Sequence, residues 1–72
     1  MRYAIVVEKA SGNYSAYAPD IPGCVATGDT VDEVKQHMQA TIGFHLDGMR
    51  AEGLPLPRPQ TVVEYVETDV AA

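Results

Sequence analysis

The sequence lacks most of the features that mark secreted, membrane and disulfide-rich proteins. Its 72 residues include one cysteine, Cys24, so no internal disulfide can form and no CxxC pair exists. No apolar run approaches the roughly 20 residues of a membrane-spanning helix, and no secretory signal pattern is visible. We therefore expect one small cytoplasmic domain without membrane contact, in which Cys24 is a buried strand residue rather than a reactive thiol.

Basic residues are scarce as well. Five Lys and Arg stand against ten Asp and Glu, the net charge is −5, and no basic cluster is present. Since Lys and Arg contacts to phosphates supply most non-specific affinity for nucleic acids, we expect no direct nucleic-acid binding by this chain. An acidic surface suits a basic protein partner, although it also serves solubility alone.

Groupings of residues typical of catalysis are missing. A nuclease of the RNase H type needs several carboxylates around two metal ions, one of them from the middle of a central strand, and residues 2–7 contain none. Neither His37 nor His45 has a cysteine or carboxylate at metal-ligand spacing. No glycine is followed by the Lys-Ser/Thr pair of a phosphate-binding loop. The sequence therefore predicts no enzyme activity, no catalytic residue, no metal and no cofactor.

What the sequence does contain is a turn-rich stretch at residues 19–30, PDIPGCVATGDT. Its prolines fix φ near −65°, and its glycines can adopt a positive φ or permit a close approach of two backbone segments. This stretch separates two predicted strands and leads into the helix. We predict a structural turn formed by Pro19, Asp20, Pro22, Gly23, Gly28 and Thr30.

A long helix is predicted from residue 31 to residue 51 or 52. Thr30 is a suitable N-cap, and Glu33 can complete a capping box with it. His45 falls on the apolar stripe of this helix, which predicts a histidine in the core or at an interface. The stripe comprises Val31, Val34, Met38, Ile42, His45, Leu46 and Met49.

Four segments have the pattern of strands. Residues 2–8 are apolar at both alternating sets of positions, which predicts an interior strand covered on both faces. Residues 14–18 form the returning strand of a hairpin, and residues 24–27 a third strand. Residues 61–67 are β-branched and alternating, which predicts a fourth.

The order of these elements predicts an α+β fold. A three-stranded antiparallel β-meander is followed by one long helix on one face and by a fourth strand parallel to the first. The right-handed crossover of this β-β-β-α-β chain places the fourth strand beside the first, in spatial order 3-2-1-4. We expect a single domain over residues 1–67 and a short acidic tail over residues 68–72.

The turn-rich stretch also carries a resemblance to a known family. Together with TVDEV at residues 30–34, HLDGM at 45–49 and GLPLP at 53–57, it resembles the amino-terminal domain of the HicB antitoxin family. The resemblance implies a partial RNase H-like fold. It also implies neutralisation of a HicA toxin, a small basic ribonuclease, by protein–protein binding. The carboxy-terminal DNA-binding segment of many family members is not found in this sequence.

Two other functions remain open. The chain could be a solitary HicB-like oligomeric interaction module without a toxin, or a degenerate nuclease, which the missing central carboxylate disfavours. One helix covers only one face of the sheet, so we expect a homodimer or higher oligomer. Phe44, off the apolar stripe, either packs under residues 55–59 or is presented to another chain. The predicted partner interface comprises Asp20, Asp29, Asp32, Glu33, Phe44 and Asp47.

Overall fold

The computed structural model describes residues 1–70 and contains three strands and one helix. These are β1 (Val6–Lys9), β2 (Tyr14–Tyr17), β3 (Val25–Gly28) and α1 (Val31–Ala51). The strands form an antiparallel sheet in the order β1-β2-β3. The predicted α+β meander with one long helix is thus confirmed for these four elements. The predicted acidic tail, residues 68–72, includes residues 71 and 72, which lie outside the described residues.

The connection between β2 and β3 folds back into the core of the domain. The Ile21 N–H donates to the Ala18 carbonyl at 3.1 Å, and the Cys24 N–H donates to the Ile21 carbonyl at 3.2 Å. Gly23 lies between them with φ +87°, a left-handed conformation that costs glycine little. These bonds hold the side chains of Ile21 and Cys24 inside, where desolvation raises the pKa of the Cys24 thiol.

The core lies between the sheet and the first half of α1. The helix packs mainly on β3 and β2, and Val34 and Met38 are its fully buried residues. A 21-residue helix is about 32 Å long, whereas four-residue strands span about 13 Å, so the second half of α1 extends beyond the sheet. Of the two predicted placements of His45, the core is therefore wrong, because the second half of α1 extends beyond the sheet and the side chain is exposed. The placement at an interface stays a prediction.

Gly28 marks a close approach between β3 and α1. A Cβ atom at this position would lie 2.7 Å from the backbone nitrogen of Val34 and 3.0 Å from its Cα. Val34 itself is completely buried. The absence of a side chain at Gly28 therefore sets the distance between strand and helix.

β1 is shorter than predicted and lies at an edge of the described sheet. It begins at Val6 rather than at residue 2, because its partner β2 ends at Tyr17 and the chain then turns through Pro19, which has no N–H to donate. Residues 1–5 continue without regular pairing. An interior position for this strand needs a fourth strand on its other side, and the described sheet has none there.

The fourth strand is not formed within residues 1–70, where residues 61–67 carry no regular secondary structure. The Tyr3 hydroxyl donates to the Pro57 carbonyl at 2.6 Å, and the next few residues lead to Asp20, whose carboxylate binds the N–H of Thr61 at 3.0 Å. The chain has thus passed from the segment before β1 to the β2–β3 connection at the point where the predicted strand begins. Residues 62–70, which we call the arm, leave the domain from there.

Candidate protein-binding surface

Four of the predicted interface residues share one side of the domain. Three of them lie on α1, whose 3.6 residues per turn bring residues 3 or 11 positions apart to nearly the same side. These three are Glu33, Phe44 and Asp47. The Asp29 N–H donates to Glu33 Oε1 at 3.3 Å, which places Asp29 at the beginning of the same row. We call these four residues, Asp29, Glu33, Phe44 and Asp47, the acidic row.

The start of the acidic row is also the cap of the helix. Thr30 Oγ1 accepts the N–H of Glu33 at 3.1 Å, while the Glu33 side chain accepts the N–H of Asp29 instead of that of Thr30. Acidic side chains here also favour the positive end of the helix dipole, each by about 0.3–1 kcal/mol. Glu33 therefore contributes to folding, whereas Asp47, near the other end of α1, does not have this role.

Phe44 is exposed to solvent over 84% of its surface. Of its two predicted placements, packing under residues 55–59 is therefore wrong, since that segment does not cover the ring. An isolated exposed aromatic ring contributes nothing to the core, and beside an acidic row it offers an apolar contact to another molecule.

His37 connects the acidic row to the sheet. It lies one turn after Glu33, and its Nδ1 is 2.6 Å from the carbonyl oxygen of Thr27 in β3. Because a carbonyl can only accept, Nδ1 is the donor in this contact. Sequence reasoning missed this bond, because no periodic signal relates an off-stripe helix residue to a strand ten positions earlier. The bond holds this side of α1 next to β3.

The other two predicted interface residues lie elsewhere. Asp32 precedes Glu33 by one residue and therefore projects about 100° away from it around α1, where it lines a groove with Lys35. Asp20 lies in the β2–β3 connection, and both of its carboxylate oxygens accept hydrogen bonds from the chain itself. The six predicted residues therefore do not form one continuous patch, and Asp20 acts within the domain.

Asp20 holds the root of the arm through three hydrogen bonds. Its Oδ2 accepts the backbone N–H groups of Gln60 and Thr61, each at 3.0 Å, and its Oδ1 accepts the Thr61 hydroxyl at 2.8 Å. The Thr61 backbone N–H is the main cause that lowers the pKa of Asp20. Partial desolvation opposes it, while the Thr61 hydroxyl and the Gln60 N–H add to the lowering.

We predict that acid or the Asp20→Asn substitution releases the root of the arm. The pKa of Asp20 in the folded chain is below its ordinary value, so the attachment is complete above about pH 4 and is lost as the pH falls through the lowered pKa. The NMR signal of the Thr61 amide should therefore titrate below pH 4 in the wild type and show no such step in the variant. Asp69→Asn, on the arm, serves as the control. A Thr61 signal that is the same in Asp20→Asn as in the wild type would contradict the attachment.

Within residues 1–70, no three His, Cys, Asp or Glu side chains converge as the ligands of a metal ion would. The same residues include no helix that combines the length and the apolar character of a membrane span.

The structure thus defines a small α+β protein with a three-stranded antiparallel sheet, one covering helix and an exposed acidic and aromatic row. Its sequence matches the profile of the HicB-like antitoxins of bacterial toxin–antitoxin systems over residues 3–70. Because this match spans nearly the whole chain, the chain belongs to that family.

Relatives are found in phage and in bacteria. The chain is 35% identical over 66 residues to an uncharacterised 14.9 kDa protein from the rep-hol intergenic region of Haemophilus phage HP1, covering 92% of this chain and 50% of that protein. It is 32% identical to a UPF0150 protein of Synechocystis, covering 86% of this chain and 80% of the relative. The chain therefore spans only half the length of the phage protein.

A solved structure is similar in fold and in sequence. A chain of the HicA3 and HicB3 toxin–antitoxin complex superposes with a TM-score of 0.70 at 30% identity. The match covers 83% of this chain and 70% of the other. The likeness thus extends over most of the described domain.

Proposed function

We propose that this chain is an antitoxin that neutralises a HicA-like toxin by binding to it. The observation that carries the proposal is the similarity to a chain of the HicA3 and HicB3 complex, supported by the family match. The proposed role is binding in the cytoplasm, without catalysis, a cofactor or direct contact with nucleic acid.

The acidic row is the proposed contact surface for the toxin. The chain has a net charge of −5 and an isoelectric point of about 4.6, which complements a basic partner. Phe44 supplies an exposed aromatic ring of the kind that anchors protein interfaces, and Asp47 lies one turn from it. Asp32, Glu33 and Asp29 extend the negative charge at the start of α1.

Self-association is part of the same proposal. α1 covers only one face of the sheet, and the opposite face exposes Tyr17 over 43% and Val25 over 65% of their surfaces. Ala4 and Val6 on that face are half-buried. A homodimer or higher oligomer would remove these apolar groups from water.

Co-expression with a HicA-like toxin from the same genome tests the antitoxin role. The toxin alone should arrest growth, and this chain should restore growth and co-purify with the toxin. Failure of both rescue and co-purification would contradict the proposal and leave the solitary interaction module as the better account.

Charge reversal tests the acidic row. We predict that Asp29→Lys together with Asp47→Lys slows association with the toxin about tenfold at low salt and weakens its salt dependence, because steering by the row is lost. Glu52→Lys together with Asp69→Lys makes the same change in net charge at exposed positions outside the row and is the matched control. Stopped-flow association across a salt series measures both. Equal slowing by the two variants would show that only the net charge matters.

A further inference from the structure

The outer edge of β1 is unoccupied in the described sheet. The strand order β1-β2-β3 leaves the other side of β1 without a neighbour, and residues 1–5 extend the same edge. A free edge presents a row of unpaired N–H and C=O groups and is a template for a further strand.

A groove lies beside this edge, between the amino-terminal segment and α1. Its volume is about 740 Å³, and Tyr3 and Ile5 line one side while Ile42 and Leu46 line the other. It exists because α1 packs mainly over β3 and β2. A strand paired with β1 would place alternate side chains in this groove, against apolar groups that are now only half-buried.

The arm has the sequence of a strand but makes no sheet within residues 1–70. Val62, Tyr65 and Val66 are 76–91% exposed, and Val63 is 51% exposed. The radius of gyration is 14.5 Å, compared with about 11 Å for a compact chain of this length. The domain thus displays a β-branched and aromatic segment away from its core, next to a sheet that has room for one more strand.

The arm's own sheet is a poor partner for it. The Pro57 carbonyl accepts the Tyr3 hydroxyl in the segment before β1, and by Thr61 the chain is held at Asp20 in the β2–β3 connection. Pairing with β1 of the same chain would bring the arm back across the end of the sheet from the point where Asp20 holds its root. A second copy can offer its β1 edge while all three bonds to Asp20 stay in place.

We infer that residues 62–67 pair with the free edge of β1 in a second copy, and that the second copy returns the same contact. In this exchange, the arm of each copy occupies the predicted fourth-strand position in the sheet of the other copy. Because the two contacts are identical, the assembly is a two-fold dimer. Val63 and Tyr65 share one face of the added strand, Val62 and Val66 the other, so one pair enters the groove. The inference rests on the self-association proposed above, and does not involve the toxin.

Proline substitutions in the arm of the purified full-length chain test the exchange. The N–H groups of adjacent strand residues point to opposite sides of the strand. The two single variants Val62→Pro and Val63→Pro therefore remove one N–H from each side, and whichever side faces β1, one of the variants loses a hydrogen-bond donor to it. We expect at least one of them to raise the dimer dissociation constant roughly tenfold or more in sedimentation equilibrium. Val70→Pro, beyond the predicted strand, is the matched control and should leave it unchanged. Circular dichroism should show the same fold in all of them.

Amide hydrogen exchange identifies where the arm pairs. In the wild-type dimer, residues 62–67 should exchange at least about tenfold more slowly than in the dilute monomer. If the wild-type chain forms a dimer but its arm amides are not protected, the strand exchange is overturned and self-association is retained. The same conclusion follows if neither proline variant changes the dimer dissociation constant. A chain that stays monomeric at millimolar concentration would overturn both, and protected arm amides in such a monomer would show pairing within one chain.

Discussion

The Met38→Ala variant is expected to have a free energy of unfolding about 2–5 kcal/mol lower than that of the wild type. Met38 is 1% exposed and lies with Val34 at the contact between α1 and the sheet. Truncation removes apolar atoms from the core and leaves a cavity that the short sheet cannot easily close. A chain of 72 residues has a total stability of roughly 4–11 kcal/mol, so the loss is a large share of it.

Urea denaturation followed by circular dichroism measures this loss, and Met49→Ala is the matched control. It deletes the same atoms from the same helix, but Met49 is only half-buried, because that part of α1 extends beyond the sheet. A loss of about 1 kcal/mol is expected there, at a protein concentration below that of self-association. Equal losses at the two positions would mean that the described core is misplaced.

The elements that were predictable from the sequence are those fixed by local signals. α1 begins where Thr30 and Glu33 supply its cap, and its length follows from the apolar periodicity. The hairpin and the third strand likewise depend on nearby turn residues, of which Gly23 adopts φ +87°. Such signals act within a few residues, so a pattern in the sequence is sufficient to locate them.

The fourth strand was not predictable in the same way, because a strand pattern does not name its partner. Residues 61–67 alternate as a strand does, but contacts distant in sequence set their path. Tyr3 meets Pro57, and Asp20 binds Thr61, over separations of 54 and 41 residues. The sequence predicts Asp20 both as a residue of the structural turn and, from its charge, as part of a partner surface, and its carboxylate oxygens accept hydrogen bonds within the domain.

At the candidate surface, too, local patterns predicted some features and missed those that depend on residues distant in the sequence. Helical periodicity was sufficient to place Phe44 off the stripe, and its exposure of 84% shows that nothing within residues 1–70 covers it. Periodicity failed for His45, because it describes a helix face and says nothing about where the sheet beneath that face ends. The contact of His37 with Thr27 has no counterpart in any local pattern.

Gly28→Ala is expected to lower the free energy of unfolding by about 1–3 kcal/mol, although it adds a single methyl group. The new Cβ would lie 2.7 Å from the backbone nitrogen of Val34, and backbone cannot rotate away as a side chain can. Val34 is also fixed by its own N–H, which donates to the Thr30 carbonyl at 3.0 Å in the first turn of α1. The helix must therefore move away from β3 and loosen the packing around Val34 and Met38.

Gly48→Ala is the matched control, and its effect should have the opposite sign. Gly48 lies inside α1, and beyond the adjoining helix backbone a Cβ there would meet no atom within 4 Å. Alanine loses less conformational freedom in a helix than glycine, so this variant should gain about 0.5–1 kcal/mol. In thermal unfolding, the melting temperature of Gly28→Ala should lie several degrees below that of the wild type, and that of Gly48→Ala several degrees above it. A Gly28→Ala variant that melts at or above the wild-type temperature would show that α1 can move off β3 at no cost, so the close approach at Gly28 would not hold strand and helix together.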